Sequence, residues 1–154
     1  MGKALAPRLD KLHELSKKLN STADDIGQVV QGVETYLNEV CRLGIHASTL
    51  VEADTNEEEG FSSRKSLVYG RYGTKYRLFV VDEDEHHGNC VGHTETLWAN
   101  CPRDLKLAAY LKLPNLLDDL ITRVQETLEH LEENTEKLQA ILPPERGKKK
   151  ETTS

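Results

Sequence analysis

An α+β fold, with long helices extending from a small antiparallel sheet, is predicted by three observations on this 154-residue chain. Apolar residues recur at alternating steps of four and three at both ends of the chain. A block of β-branched and aromatic residues, split by a glycine-led turn, occupies the middle. The five prolines (Pro7, Pro102, Pro114, Pro143, Pro144) leave residues 8 to 101 free of the strongest helix breaker.

The first repeat runs Leu5, Leu9, Leu12, Ser16, Leu19, Ala23, Ile26, Val30, Val33, Leu37, Val40. This heptad spacing keeps one narrow stripe facing a partner helix. Asn20 to Asp25 offers capping residues, but the stripe continues in phase through it, so one helix is expected over 7–42, with Pro7 in its first turn and Gly44 as its stop. Gly27 and Gly32 each weaken it by roughly 1 kcal/mol relative to alanine, so packing along the stripe must hold it straight. Such a helix is about 54 Å long, whereas a compact domain of this size has a radius of gyration of about 15 Å. It must project.

At the other end, Asn100-Cys101-Pro102 is a helix start, and helices are expected over 101–142. Leu105 to Leu113 forms a short segment, Pro114 kinks it or opens a new helix, and Leu117, Ile121, Val124, Leu128, Leu131, Thr135, Leu138 and Leu142 repeat the seam until Pro143. Each seam has one polar position, Ser16 and Thr135. They fall at similar heights if the helices run antiparallel, which points to a coiled-coil-like hairpin or bundle, and dimerisation is the simplest way to complete a bundle.

A three-stranded β-meander is expected over 45–82, around a two-residue Gly73-Thr74 turn. Pairing Tyr72 with Lys75 places Leu67, Tyr69, Leu78 and Val80 on one face, toward the helices, and Val68, Tyr72, Lys75, Arg77 and Phe79 on the other. Residues 83–100 are read as a loop. Residues 1–144 then form a single domain, and 145–154, with Lys148 to Lys150 and no apolar anchor, a disordered basic tail. In element order alone this arrangement is similar to small bacterial nucleoid-associated proteins, which dimerise and bind DNA; no residue motif carries that likeness, and no family follows from it.

The formal charge of −6 argues against non-specific nucleic-acid binding by the whole surface. Between Phe61 and Val81, however, there are five basic residues (Arg64, Lys65, Arg71, Lys75, Arg77) and no acidic one, interleaved with aromatics, which leaves −11 for the rest of the chain. A basic, aromatic strand surface of this kind can track phosphates and stack on bases, so Arg64, Lys65, Arg71, Tyr72, Lys75, Arg77 and Phe79 are the candidate residues for a protein or nucleic-acid partner. The competing reading is that these cations neutralise the acidic stretches at 52–59 and 82–85.

His86-His87-Gly88-Asn89-Cys90-Val91-Gly92-His93 concentrates three imidazoles and a thiol. His87, Cys90 and His93, with Cys101 as a fourth ligand, are a candidate zinc set, although the spacing fits no standard finger and a solvent-exposed connection explains it as well. Otherwise no cofactor is expected. GxxxxGK[ST], HExxH and GxSxG are all missing, and Cys90 with His93 has no orienting third group, so a non-enzymatic role is expected. Three cysteines without a CxxC pair, no apolar run long enough to span a bilayer and no secretory leader point to a cytoplasmic protein with no membrane partner. The functional expectation is an oligomeric scaffold or adaptor, a homodimer whose long helices assemble and whose sheet docks a protein partner. The alternatives are nucleic-acid binding by 61–81 and zinc binding by 86–101.

Overall fold

The computed structural model describes residues 2–143, with side chains from residue 5 onward. Helix α1 (Gly2–Thr35) passes without a break through Asn20 to Asp25 and continues as a π-helical turn over Tyr36–Cys41. Four strands follow, β1 (Ala47–Asn56), β2 (Phe61–Tyr72), β3 (Lys75–His86) and β4 (Asn89–Leu97), and then α2 (Arg103–Leu111) and α3 (Leu113–Ile141). The expected basic tail lies outside the described residues.

The sheet is an antiparallel meander in the order β1-β2-β3-β4. Tyr72 pairs with Lys75, and Gly73 takes a positive φ of 67° at the first turn position, as the glycine-led turn requires. Leu67, Tyr69, Leu78 and Val80 are buried on the helix side, together with Ala47, Trp98, Cys101, Ala109, Leu113, Leu116 and Leu120. The expected face is therefore the core face.

Three expectations are corrected. The sheet has four strands, not three: the segment read as a loop over 83–100 extends β3 to His86 and supplies β4. His87 (φ 51°) and Gly88 (φ 81°) are both left-handed, and this tight turn joins the two strands. Second, α1 starts at Gly2, so Pro7 lies inside the helix rather than in its first turn. Third, the first helix ends at Cys41 in π geometry, with Arg42 left-handed (φ 49°) and its N–H bonded to the Leu37 carbonyl at 3.0 Å. The widened turn takes Val40 off the stripe and into solvent, and it turns Asn38 toward the sheet. There Asn38 accepts the Tyr69 hydroxyl and donates to the Tyr76 carbonyl at 2.8 Å. Burial, reinforced by the Glu34 charge, pushes the Tyr69 phenol above its ordinary pKa, which keeps it protonated as this donor.

Two carboxylates fasten the helices to opposite sides of the sheet. Beyond the point where β4 ends, opposite Phe79, the Leu78 N–H of β3 donates to Glu34 of α1 at 2.8 Å, and Arg77 Nε pairs with the same carboxylate at 2.7 Å. On the outer edge of β1, the Ser48 N–H donates to Asp119 of α3 at 3.1 Å, and Arg123 Nε pairs with that carboxylate at 2.9 Å. Each edge strand also carries a register shift: between Leu50 and Glu52 in β1, and opposite Asp84/Glu85 in β4, where Val91 is the extra residue.

The hydrogen bond from Arg123, aided by that from Ser48, holds the Asp119 carboxyl below its ordinary pKa against the opposing effect of burial. A depressed carboxylate contributes stability that is complete above its unfolded pKa of about 4 and is lost as pH falls toward the lower folded value. Asp119→Asn is therefore expected to be less stable than wild type at pH 7, with the gap closing below about pH 4. Urea midpoints measured across that range check it; a gap independent of pH contradicts the assignment.

Candidate interaction surfaces

Three surfaces stand out. The first is made by the free lengths of α1 and α3. Residues 5–22 of α1 are exposed throughout, and the side chains of Leu5, Leu9, Leu12, Leu15 and Leu19 are 48% to 61% exposed. In α3, Leu128, Leu131, Leu138 and Ile141 are 51% to 76% exposed. Apart from Leu15 and Ile141, which flank the stripes, these are the heptad positions of the sequence, and none of them belongs to the core formed by the described residues. The helices meet the core only farther in, through Ile26, Val30, Val33 and Leu37 of the first helical stretch and Leu113, Leu116, Leu117, Leu120 and Val124 of α2–α3.

Where both helices reach the sheet, an apolar groove of about 610 Å³ separates them, with Val29, Val33 and Tyr36 on one wall and Leu117, Ile121 and Val124 on the other. The carboxylate clasps explain the gap. Glu34 and Asp119 grip opposite sides of a three-strand span, roughly 14 Å across at the usual strand spacing, whereas packed helices approach to about 8–10 Å. Gly32 also lines this groove, and a Cβ placed there meets nothing within 4 Å. The single chain thus gives no packing reason for a residue that costs the helix about 1 kcal/mol relative to alanine.

The second surface is the outer face of the sheet. Val68 and Phe79 are only 4% exposed, although the groove above them is lined by none of the described helices. Tyr72 lies over Phe79 with ring centroids 5.3 Å apart, and His46 lies against Gly70, where a Cβ would come within 2.7 Å of its ring. Arg64, Arg71, Glu83, His93 and Glu95 rim a groove of about 490 Å³ above this floor.

The structure divides the candidate cations. Arg77 is held by Glu34, and Lys65 faces Glu52 across the β1–β2 ladder at 3.7 Å. Arg64, Arg71 and Lys75 have no ion-pair partner among the described residues. The basic hairpin and the acidic stretches are thereby brought side by side, with Arg64 opposite Glu83 and Lys65 opposite both Glu52 and Asp82.

The third surface is a cleft of about 750 Å³ between α1 and α2, lined by Glu34, Arg77, Trp98, Arg103 and Lys106 among others. Its cations are engaged: Arg103 donates to Asn20 at 2.8 Å, and Lys106 lies 5.4 Å from the centre of the Trp98 ring, whose Nε1 donates to the Lys106 carbonyl at 3.1 Å. Sequence reading missed both this cleft and the interhelical groove, because both depend on where the clasps place the helices.

The candidate zinc ligands do not converge. His87 sits in the β3–β4 turn against the His86 ring, the exposed Cys90 thiol contacts the Gly92 carbonyl at 3.5 Å, and His93 lies between Glu83 and Glu95 at 3.7 and 3.4 Å. Cys101 is at the opposite end of β4, buried in the core, with its thiol directed to the Leu97 carbonyl at 3.5 Å. Burial raises its pKa, only partly offset by Lys106, so it is held as a thiol rather than the thiolate a metal takes. Among the described residues no group of three or more His, Cys, Asp or Glu side chains is placed to hold a metal ion. None of the described helices is long and apolar enough to cross a membrane. Comparison with protein-family models, with curated proteins and with solved structures finds no match.

Proposed function

We propose that the chain is a non-enzymatic assembly module that forms a homodimer through the projecting lengths of α1 and α3 and leaves the outer face of its sheet for a further protein partner. The observation that supports this reading is the pair of unfilled heptad seams, with Leu5, Leu9, Leu12 and Leu19 of the first and Leu128, Leu131 and Leu138 of the second about half exposed or more, and Leu15 and Ile141 exposed beside them. Contiguous apolar exposure on this scale marks an interaction site.

The helices themselves point the same way. An isolated helix shorter than about 12–15 residues is marginal in water even when alanine-rich, and helical stability in proteins comes chiefly from packing an apolar face. The free length of α1 is only slightly longer and contains Pro7, Ser16, Asn20, Ser21 and Thr22, all poor interior residues. It needs a partner along its stripe. On the sheet, the groove over Val68 and Phe79, flanked by Arg64 and Arg71, offers a separate docking surface that assembly through the helices leaves uncovered.

Light scattering tests the reading. The wild type is expected at twice the chain mass at micromolar concentration, and the Leu19→Asp, Leu128→Asp double variant at the mass of one chain with its strand circular dichroism intact. A wild type that stays at one chain mass across that range overturns the proposal, as does a double variant that keeps the wild-type mass.

A further inference from the structure

The two projecting lengths carry opposite charge. Residues 5–20 contain Arg8, Lys11, Lys17 and Lys18 against Asp10 and Glu14, while residues 125–141 contain Glu126, Glu129, Glu132, Glu133 and Glu136 against Lys137. The first turn of α1 has no acidic residue and the last turn of α3 no basic one, so the contrast in charge persists to both helix ends. Antiparallel contact between the two helices would bring each end beside its complement.

The lengths also match, about 27 Å for residues 5–22 and about 26 Å for 125–141. So does the heptad phase. With Leu19 opposite Leu128, the same register sets Ser16 opposite Leu131, Leu12 opposite Thr135 and Leu9 opposite Leu138, so that each polar seam position meets a leucine and never the other polar residue. In the single chain this contact is not made: the leucines of both seams are about half exposed or more.

We propose that two copies associate by reciprocal exchange, the basic N-terminal arm of α1 from each lying antiparallel on the acidic C-terminal arm of α3 from the other. The proposal rests on the assembly reading above and specifies its geometry. The exchange is isologous, since the same pair of surfaces is used twice about a two-fold axis, and it closes at two copies. Because the attraction is between exposed charges, added salt weakens it.

Two charge-reversed chains test it. One carries Arg8→Glu, Lys11→Glu, Lys17→Glu and Lys18→Glu, so that both of its arms are acidic; the other carries Glu129→Lys, Glu132→Lys, Glu133→Lys and Glu136→Lys, so that both are basic. Analytical ultracentrifugation of each alone is expected to show dimerisation at least ten-fold weaker than wild type, and an equimolar mixture to restore a dimer containing one of each. Circular dichroism of each variant confirms that the sheet is retained. Two variants that dimerise as well as wild type, with association strengthened by salt, overturn the exchange in favour of like arms pairing with like. Two weakened variants that mixing does not rescue overturn it in favour of pairing within one chain. In both cases a dimeric wild type leaves the assembly reading standing, whereas a wild type monomeric throughout removes that reading itself.

Discussion

Leu116→Ala is expected to lower stability by about 2–5 kcal/mol, the range for emptying a leucine site in a core that relaxes only partly. Leu116 is completely buried near the start of α3 and belongs to the cluster that joins both helical stretches to the sheet. Its loss removes contacts on several sides at once. Urea unfolding followed by the fluorescence of Trp98, the single tryptophan and itself part of that cluster, reads the effect. The measurement is best made in the Leu19→Asp, Leu128→Asp background, where association does not add to stability. In that background Leu131→Ala, at an exposed seam position, is expected to change stability by no more than about 0.5 kcal/mol. Comparable losses for the two variants would mean that the division between core and free helix is wrong.

Glu34→Ala is expected to cost about 2–3 kcal/mol, because it strips a charged acceptor from two donors at once. The Leu78 N–H is left at a point where no neighbouring strand supplies a carbonyl, and Arg77 loses its only ion pair among the described residues. Glu34→Gln should recover part of the loss, since an amide oxygen still accepts from the strand while its NH2 group repels the guanidinium. Denaturant midpoints of the two variants check the order. An alanine variant within about 0.5 kcal/mol of wild type would show that solvent replaces the carboxylate without penalty.

The features that could be read from sequence are those set by local periodicity. Leu67, Tyr69, Leu78 and Val80 lie in apolar runs that include Val68 and Phe79, and it is the glycine-led two-residue turn that fixes the register and sets these four on one face. The helix lengths followed from the unbroken seam and the prolines at 114 and 143. Strand β4 escaped because Asn89 to Leu97 offers only Val91 and Leu97 as large apolar residues and includes an extra residue that breaks the alternation. The acidic stretches read as loops because Asp and Glu are depleted in strands. Here they are tolerated because the register sets Glu83 opposite Arg64 and Glu52 and Asp82 opposite Lys65, pairings invisible until the strands are aligned.

The candidate sites divide along the same line. The apolar half of the outer sheet face, Val68, Tyr72 and Phe79, was legible from alternation. The removal of Arg77 and Lys65 from the free cations was not, since Glu34 lies 43 residues from Arg77 along the chain. Cys101 was misplaced for a related reason. Proximity in sequence to Cys90 and His93 suggested a shared site, but an extended strand carries the two ends of that segment apart at about 3.3 Å per residue.

The irregularities in β1 and β4 have a bearing on how copies of this chain can meet. A meander leaves two outer strands whose backbone groups are a ready template for another strand, and a sheet free to grow at both margins would polymerise. The extra residues near Val51 and at Val91 interrupt both templates, and Asp119 occupies the Ser48 N–H on one of them. With lateral growth blocked at each margin, the proposed contact between copies is left to side-chain ribbons of finite length, which saturate where an open backbone edge would not.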